Sequence, residues 1–425
     1  MAAAVLFDGP VTLENVPSNR DIQTMADILQ KLGAKITFKT QRSTENNGSK
    51  SSAQGSAQTV IIDASGIHST TIDPDLAGGM RASVVLTGPM LGRYKKVTFP
   101  APGGCVIGAR PIDLFLSGYE QMGAQVNEHD CVYDISTVNG LNATEITFKK
   151  ISVGATETLM MAAVLSDGTT VLKNCAREPE IVNVAEWLNV SGASIVGAGT
   201  STITIQGTKG KLLTAQQAFV TIPDRITAGS FLILGALAAN ELTIKNCRPD
   251  HMEAVTNLLI ESGVRMKIGA DFIVVYGNGA QADSKNPANS SNYTSIPLLQ
   301  TKEYPGFPTD LQSPMVTFLT QCSGESKMVE TIFEGRFKYV EDLIKLGAKV
   351  QTLNPHEIVV TGQTPLKASD ESLTAHDIRA GFAVVLAALL AKGTSTVKNV
   401  HLIDRGYEQL EVVLKGLGAD IQRSR

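Results

Sequence analysis

Apolar residues recur every three or four positions in six separate stretches of the 425-residue chain, which is the spacing of one face of an amphipathic helix. In the first stretch that face carries Ile22, Met25 and Leu29. Each stretch ends at a glycine, the residue that most readily adopts the left-handed conformation just past a helix, and a short strand pattern follows. The six glycines are Gly33, Gly123, Gly192, Gly263, Gly347 and Gly418. The pattern predicts a helix–glycine–strand unit that is repeated six times.

A second kind of segment precedes these units and is apolar nearly all the way round, which is typical of a helix buried inside a domain. Clear copies span 154–168, 226–241 and 377–393. The first unit keeps only residues 2–7 of such a segment, so the chain is expected to begin inside a helix. Three units precede Pro223 and three follow it. We therefore expect two similar α/β domains, 1–222 and 223–425, in which sheets surround buried helices.

The composition is that of a soluble globular protein, with 43% hydrophobic residues, 18% charged residues and a formal net charge of −4 at pH 7. This slightly acidic balance gives no electrostatic reason to expect nucleic-acid binding. No apolar run reaches the roughly 18 residues that a membrane span needs, and residues 1–7 lack the basic start and cleavage site of a signal peptide. We therefore expect a cytoplasmic protein without a nucleic-acid or membrane partner.

The five cysteines and six histidines show none of the spacings that metal sites or disulfide frameworks use. The cysteines are odd in number and include no C-x-x-C pair, which is typical of reduced thiols. Cys175 and Cys247 each follow Lys-Asn at matching positions of two repeats, so we expect both to pack in the interior. No metal and no cofactor is expected.

One glycine-rich segment, APGGCVIGARPIDL at 101–114, presents a thiol and a cation together. Cys105 follows two glycines, and Arg110 stands five residues further on. A thiol near a cation on a flexible loop can act as an acid or a nucleophile. The alternative is that Cys105 packs as a small apolar residue, which is common for a free cysteine. The residues alone leave both interpretations open.

Three arginines, Arg81, Arg379 and Arg405, stand where the repeat predicts the openings of helices. A helix N-terminus and a guanidinium both favour anions, so the combination is typical of a phosphate or carboxylate site. Each arginine taken alone could equally be a solvated surface residue. Asp310, in the sequence FPTD, stands at another predicted helix start, where it would either cap the helix or act as a general base.

Six motifs occur in a fixed order along the chain: PGGCVIGARP at 102–111, KISVGAT at 150–156, AREPEIV at 176–182, FPTD at 307–310, FEGRF at 333–337 and HLIDRGYE at 401–408. Together they resemble the motifs of the UDP-N-acetylglucosamine 1-carboxyvinyltransferase family. The resemblance runs from about residue 2 to residue 421. It implies an α/β fold of two pseudo-equivalent inside-out α/β barrel domains, each of three repeats, with the active site in the cleft between them.

The resemblance also implies the reaction. The enolpyruvyl group of phosphoenolpyruvate is transferred to the 3-hydroxyl of UDP-N-acetylglucosamine with release of phosphate, which is the first committed step of peptidoglycan synthesis. By match to the cysteine of the family's glycine loop, Cys105 protonates phosphoenolpyruvate or assists product release, and it is the site of fosfomycin alkylation. By match to the aspartate of FPTD, Asp310 is the general base. No cofactor is implied, and we expect a monomer.

The same matches imply which residues bind the two substrates. Phosphoenolpyruvate or its departing phosphate is held by Arg81, Arg110 and Arg405, and Arg336 and Arg379 match further arginines of the cleft. The UDP-sugar is bound by two segments and one further residue: Arg110, Pro111, Ile112, Asp113 and Leu114; Lys150, Ile151, Ser152 and Val153; and Ile332.

This chain departs from the family pattern at its start. The family carries a Lys-Asn pair that contacts both substrates, on a segment whose first strand joins the second domain. Met1 aligns inside the helix that follows, so we expect residues 1–425 to lack the pair and the strand. Phe115 and Tyr304 stand where the family often has histidines, and Arg20 replaces a common lysine.

Three hypotheses follow from the residues and the resemblance. The first is an active enolpyruvyl transferase. The second is a catalytically impaired or inactive paralogue that only binds the UDP-sugar, which the absent Lys-Asn pair favours and the retained Cys105 and Asp310 oppose. The third is the related enolpyruvylshikimate-phosphate synthase, which shares the fold but does not carry the PGGC loop as a signature.

Overall fold

The computed structural model of the chain describes residues 1–40, 57–101, 112–277 and 293–424. These residues divide by their contacts into two compact units, unit 1 up to Ile222 and unit 2 from Pro223 onward. Each unit has a hydrophobic core of its own.

Unit 1 alternates helices and short strands. Its α-helices are α1 (Arg20–Leu32), α2 (Pro74–Gly79), α3 (Thr87–Tyr94), α4 (Asp113–Gln121), α5 (Val153–Ala163) and α6 (Pro179–Val190). Its strands are β1 (Val11–Val16), β2 (Lys35–Thr40), β3 (Gln58–Asp63), β4 (Lys96–Pro100), β5 (Gln125–His129), β6 (Val132–Ser136), β7 (Glu145–Thr147), β8 (Thr169–Lys173), β9 (Ser194–Val196), β10 (Thr202–Gln206) and β11 (Phe219–Val220). Two 3-10 helices span Ala2–Leu6 and Arg81–Leu86.

The strands of unit 1 form three sheets, with the orders β11-β1-β3-β2, β4-β6-β5 and β7-β8-β10-β9. In β8, Thr170 and Leu172 are buried and their neighbours are not, which is the alternation of a sheet with one face on the core. Helix α5 lies in that core, since eight of its eleven residues are buried. Unit 1 therefore has a helix inside and sheets around it.

Unit 2 is built from the same kinds of element. Its α-helices are α7 (Arg225–Ala238), α8 (Glu253–Glu261), α9 (Gln312–Leu319), α10 (Val340–Lys345), α11 (Ile378–Leu390) and α12 (Leu410–Gly416). Its strands are β12 (Glu241–Lys245), β13 (Arg265–Ile268), β14 (Phe272–Tyr276), β15 (Leu298–Gln300), β16 (Gly324–Val329), β17 (Lys349–Asn354), β18 (Glu357–Gly362), β19 (Leu373–Thr374) and β20 (Val397–Lys398). Among the described residues of unit 2, 3-10 helices span Pro249–His251, Thr309–Leu311 and Val400–Arg405.

The described strands of unit 2 form sheets with the orders β12-β14-β13, β15-β16-β18-β17 and β19-β20. All eight residues of α9 are buried, and so are eight of the thirteen residues of α11. Helices α9 and α11 are apolar because they are buried in unit 2, as the sequence predicts.

The predicted repeat is confirmed at its glycines. Gly33, Gly123, Gly192, Gly263, Gly347 and Gly418 all have positive φ, between 85° and 113°. At Gly33 a Cβ would also lie only 2.5 Å from the carbonyl oxygen of Gly66, so a side chain there would clash as well as strain the backbone. Strands β2, β5, β9, β13 and β17 follow the first five glycines.

Two parts of the repeat differ from the prediction. No strand follows Gly418 within the described residues up to 424, where the pattern predicts a sixth. The short apolar start forms a 3-10 helix over Ala2–Leu6 rather than a turn of α-helix, and all five residues are buried. Hydrophobic periodicity identifies the buried segment at Ala2–Leu6 but does not decide which hydrogen bonds its backbone makes. After Gly418 only Ala419 and Ile421 are half-buried and the other residues up to 424 are exposed.

No helix within the part of the chain that the structure describes is long and apolar enough to cross a membrane.

Candidate active site

Three of the predicted site residues, Cys105, Arg110 and Pro111, lie outside the described residues. The others fall into two groups, one in unit 1 and one in unit 2.

The unit 1 group lies at the starts of two helices. Helix α4 begins at Asp113, with the buried Ile112 before it. Helix α5 begins at Val153, and the hydroxyl of Ser152 caps it by accepting a hydrogen bond from the Ala155 N–H at 3.2 Å. Helix starts carry a partial positive charge, so both segments favour an anionic group.

The two helix starts of unit 1 pack against each other. The Phe115 ring would lie only 3.1 Å from a Cβ at position 154, so Gly154 is what lets the first turns of the two helices approach each other. Lys150 stands exposed just before α5. The segments 112–114 and 150–153 are therefore brought together, as their shared role in the resemblance requires. The repeat alone did not indicate this contact.

Arg81 is the first residue of its 3-10 helix, which packs against α5, so its predicted place at a helix opening is confirmed. Arg379 is the second residue of α11 and is also at an opening. The same prediction is wrong for Arg405, which is the last residue of the 3-10 helix Val400–Arg405. Arg405 ends a helical turn rather than opening one: Gly406 follows as the C-cap, and the next α-helix begins only at Leu410.

In unit 2, Asp310 forms an ion pair with Arg336. Its Oδ1 accepts from Nη2 of Arg336 at 2.7 Å, and the carboxylate side chain is 44% exposed whereas the arginine side chain is 2% exposed. Asp310 is not the N-cap residue of either helix, because it is the middle residue of the 3-10 helix Thr309–Leu311, and Pro308 and Leu311 occupy the N-cap positions of that helix and of α9. Asp310 is thus paired with a buried cation while its own side chain remains 44% exposed.

Arg336 is fixed on several sides. Its Nη1 donates to the hydroxyl of Thr309 at 2.8 Å, and its guanidinium lies 5.5 Å from the centre of the Phe333 ring. Burial works against its charge, but the neighbouring carboxylates of Asp310 and Asp377 outweigh that and raise the pKa of Arg336. A permanently charged arginine therefore sits behind the candidate base.

Arg379 is a second cation of unit 2. Asp377 caps its helix, accepting from the backbone N–H groups of Arg379 and Ala380 at 2.8 and 2.9 Å. The guanidinium lies 5.1 Å from the centre of the Tyr407 ring, and its buried Nη1 has no hydrogen-bond partner among the described residues. Burial opposes the charge, while Tyr407, Asp310 and Asp224 raise the pKa of Arg379. A buried donor of this kind is satisfied when an anion binds.

Sequence reasoning missed one residue of this site, Glu330. Its carboxylate is fully buried and accepts hydrogen bonds from Thr301 and Thr309 at 3.0 and 2.8 Å and from the backbone N–H groups of Ile332 and Phe333 at 2.8 and 3.1 Å. The available signal was the position of this glutamate between strand β16 and the FEGRF motif at 333–337.

The expected packing of two cysteines is confirmed. Cys175 and Cys247 are buried, and their sulfurs lie 3.3 and 3.7 Å from the carbonyl oxygens of Leu172 and Ile244. Burial raises the pKa of Cys175 to about 11. Both thiols stay protonated near neutral pH and are not nucleophiles.

Known proteins similar to this chain agree with the motifs. A family model described as EPSP synthase (3-phosphoshikimate 1-carboxyvinyltransferase) matches residues 1–414. The UDP-N-acetylglucosamine 1-carboxyvinyltransferase of Koribacter versatilis is 40% identical over 424 residues, covering 100% of this chain and 90% of that protein. The protein of the same name from Acidobacterium capsulatum is 41% identical over 426 residues, with the same coverage.

The fold agrees as well. A crystal structure of the enolpyruvyl transferase NikO from Streptomyces tendae superposes with a TM-score of 0.83 at 24% identity, covering 99% of this chain and 92% of that chain. The predicted α/β fold of the enolpyruvyl transferases is therefore confirmed. Identity near 40% over the whole of this chain goes beyond a shared fold and shows that the chain belongs to the UDP-N-acetylglucosamine 1-carboxyvinyltransferase family.

Proposed function

We propose that this chain transfers the enolpyruvyl group of phosphoenolpyruvate to the 3-hydroxyl of UDP-N-acetylglucosamine and releases inorganic phosphate. The observation that carries the proposal is the half-exposed carboxylate of Asp310, which the buried Arg336 holds at 2.7 Å. A general base must be oriented and accessible to the hydroxyl whose proton it takes, and the ion pair with Arg336 and the 44% exposure of the Asp310 side chain support this role.

The proposed reaction has two stages. In the addition, Asp310 accepts the proton of the sugar 3-hydroxyl, the oxygen attacks C2 of phosphoenolpyruvate, and the thiol of Cys105 gives a proton to C3. In the elimination, the bond between C2 and the phosphate oxygen breaks, C3 loses a proton and the double bond is restored. Positive charge develops at C2 in both transition states, so nearby carboxylates and a dry site lower the barrier.

The arginines in this proposal have different tasks. Arg379 binds phosphoenolpyruvate or the departing phosphate, because its buried Nη1 has a proton to donate and no described acceptor. Arg81, Arg110 and Arg405 are assigned to the same anion by their matches in the family. Arg336 acts on Asp310 itself, since both of its Nη groups are bonded to Thr309 and Asp310.

The UDP-sugar is assigned to the helix starts of unit 1 and to Ile332 of unit 2. In unit 1 the paired openings of α4 and α5, with the exposed Lys150, suit the diphosphate.

The proposed activity belongs to peptidoglycan synthesis and cell-wall biogenesis, and it would link the chain to cell shape and cell division. We assign the chain to the cytoplasm as a monomer. The chemistry assigned to these residues uses no cofactor or metal.

Phosphate release is the test. We expect the chain to release phosphate from phosphoenolpyruvate only when UDP-N-acetylglucosamine is present, and not when shikimate 3-phosphate replaces the sugar nucleotide. Asp310→Ala should lower the rate by about 10³-fold, because a positioned base contributes 10²- to 10⁴-fold. Cys105→Ala should also slow it.

Asp167→Ala is the matched control, since this aspartate of unit 1 pairs with Lys209 at 3.4 Å in an exposed ion pair just past the C-terminal end of α5, the end opposite Ser152. We expect it to leave the rate unchanged. If the unaltered chain and both site variants are equally silent while UDP-N-acetylglucosamine still binds, the chain is the impaired paralogue and not the enzyme.

A further inference from the structure

The buried carboxylate of Glu330 joins three irregular stretches of unit 2. Thr301 follows strand β15, Thr309 opens the 3-10 helix that carries Asp310, and the backbone from Thr331 to Phe333 follows strand β16. The stretches of Thr301 and Thr331 are also joined directly, since the N–H of Thr331 donates to the hydroxyl oxygen of Thr301 at 2.9 Å and the hydroxyl of Thr331 donates to the carbonyl of Thr301 at 2.5 Å. The four hydrogen bonds to Glu330 add Thr309 and the N–H groups of Ile332 and Phe333 to the same point.

The carboxylate uses its two oxygens for different stretches. Oε1 accepts from Thr301 and from the backbone N–H groups of Ile332 and Phe333. Oε2 accepts from the hydroxyl of Thr309. A fully buried carboxylate is stable only when such donors satisfy it, so none of these contacts is incidental.

The direction of the hydrogen bonds is fixed along one arm. Nη1 of Arg336 donates to the Thr309 oxygen, so the single hydroxyl proton of Thr309 must go to Glu330. The same guanidinium donates to Asp310 through Nη2. Carboxylate, hydroxyl, guanidinium and carboxylate thus form a continuous chain from Glu330 to the candidate base.

We propose that Glu330 is a positioning residue that fixes Asp310, through Thr309 and Arg336, relative to the Ile332–Phe333 backbone, where Ile332 is the residue assigned to the sugar. This inference rests on the proposed function, since it assigns Asp310 to the sugar hydroxyl and Ile332 to the sugar. Glu330 touches neither substrate. It acts by setting the distance between the base and the sugar site, and a displacement of about 1 Å there can lower a rate about 10²-fold.

Because the two oxygens of Glu330 bond to different stretches, a substitution can change one set of contacts and keep the other. Glu330→Gln can keep an oxygen toward Thr301, Ile332 and Phe333. Its NH2 group would then face the Thr309 hydroxyl, so that two donors would stand opposite each other. We expect kcat to fall about 100-fold, with the KM for UDP-N-acetylglucosamine changed by less than about threefold.

The threonines test the two arms independently. Thr309→Val breaks the arm to Asp310 and should lower kcat, whereas Thr301→Val loosens the arm to the Ile332–Phe333 backbone and should raise the KM for the UDP-sugar. Thr309→Ser and Thr301→Ser are the matched controls, because each keeps the hydroxyl, and both should restore the parameter that its valine partner changes. A merely structural role would lower thermal stability in all four variants without this division between kcat and KM.

Amide hydrogen exchange without substrates separates this inference from the proposed function. Glu330→Ala should speed exchange at Ile332 and Phe333 at least about tenfold relative to the unaltered chain, even if no turnover is observed. Unchanged exchange there, or a Glu330→Gln enzyme with the original kcat, overturns the positioning role. Loss of turnover in the unaltered chain, with exchange responding as stated, would instead remove the proposed function and leave Glu330 as the organiser of these stretches.

Discussion

The sequence Gly-Tyr-Glu-Gln occurs in both units, around Tyr119 in unit 1 and around Tyr407 in unit 2, and it is used differently in the two. Both tyrosines are buried, and both hydroxyls lie 2.7 Å from another hydroxyl, that of Thr87 or that of Ser230. Since Thr87 and Ser230 donate their own protons to carbonyl groups one turn earlier, the tyrosine is the donor in each pair. The packing device is the same in both units.

The difference lies on the face of the ring. The guanidinium of Arg379 lies over Tyr407 at 5.1 Å, whereas no guanidinium of the described residues lies over Tyr119. One copy of the repeat therefore uses its tyrosine for packing alone, and the other uses it to support a buried cation. The same four-residue sequence can thus contribute only to stability in one unit and support a functional side chain in the other, while its tyrosine stays buried in both.

Arg379→Ala is the strongest test of this comparison. The variant removes a buried cation assigned to phosphoenolpyruvate but leaves Tyr407 in place, so we expect kcat/KM for phosphoenolpyruvate to fall by about 10²- to 10³-fold. The matched control is Arg93→Ala in unit 1, whose guanidinium donates to the carbonyls of Val5 and Phe7 at 2.8 Å. That variant should lower the thermal midpoint and leave kcat/KM unchanged. Equal kinetic losses in both variants would end the distinction between the two units.

Removing the tyrosine hydroxyls sharpens the comparison. Tyr119→Phe and Tyr407→Phe each lose one buried hydrogen bond, so both should cost about 1 kcal/mol of unfolding free energy, or roughly 2 to 4 °C in the thermal midpoint. Only Tyr407→Phe should also raise the KM for phosphoenolpyruvate, by less than about tenfold, because only the Tyr407 hydroxyl also interacts with a guanidinium, that of Arg379. A matching rise in Tyr119→Phe would show that the contact between Tyr407 and Arg379 has nothing to do with the substrate.

The smallest expected effect is on the pH dependence of stability, and it comes from a buried carboxyl group that each unit stabilises differently. In unit 2 Glu330 accepts four hydrogen bonds, whereas in unit 1 burial, with the charges of Glu180 and Glu178, raises the pKa of Glu157 in helix α5 to about 8. The folded state then binds a proton that the unfolded state has lost. The stability due to Glu157 is therefore fully present below pH 4.5 and is lost as the pH rises toward about 8.

Thermal unfolding across this pH window tests the sign. Glu157→Gln carries no ionisable group at this position, so its midpoint should fall less than that of the unaltered chain between pH 4.5 and about 8. Parallel curves for the two proteins would mean that Glu157 titrates normally. A larger fall in the variant would mean that the sign is reversed.

The elements of the fold could be predicted because their signals are local. The apolar spacing before Gly33 and the glycine itself are enough to specify α1, its end and the strand that follows. The start at Ala2–Leu6 gave no such signal, because five apolar residues do not distinguish a 3-10 helix from the end of an α-helix.

The site was less predictable because its contacts join residues that are distant in sequence. Asp310 reads as a helix cap until the fold brings Arg336 to it from 26 positions away. In the sequence Glu330 looks like the end of a strand, and only the fold brings the hydroxyls of Thr301 and Thr309 to its carboxylate. Family motifs identified Asp310 and Arg336, but nothing in the spacing of the chain indicates which oxygen of Glu330 serves which loop.

The central claim is that this chain makes an enolpyruvyl ether of UDP-N-acetylglucosamine. The most direct test is to incubate the unaltered chain with phosphoenolpyruvate and UDP-N-acetylglucosamine and to identify the product by mass spectrometry and NMR. The account predicts a sugar nucleotide with the enolpyruvyl group on O3, formed in equal amount with inorganic phosphate. Recovery of unmodified UDP-N-acetylglucosamine, under conditions where calorimetry shows that it binds, would contradict it.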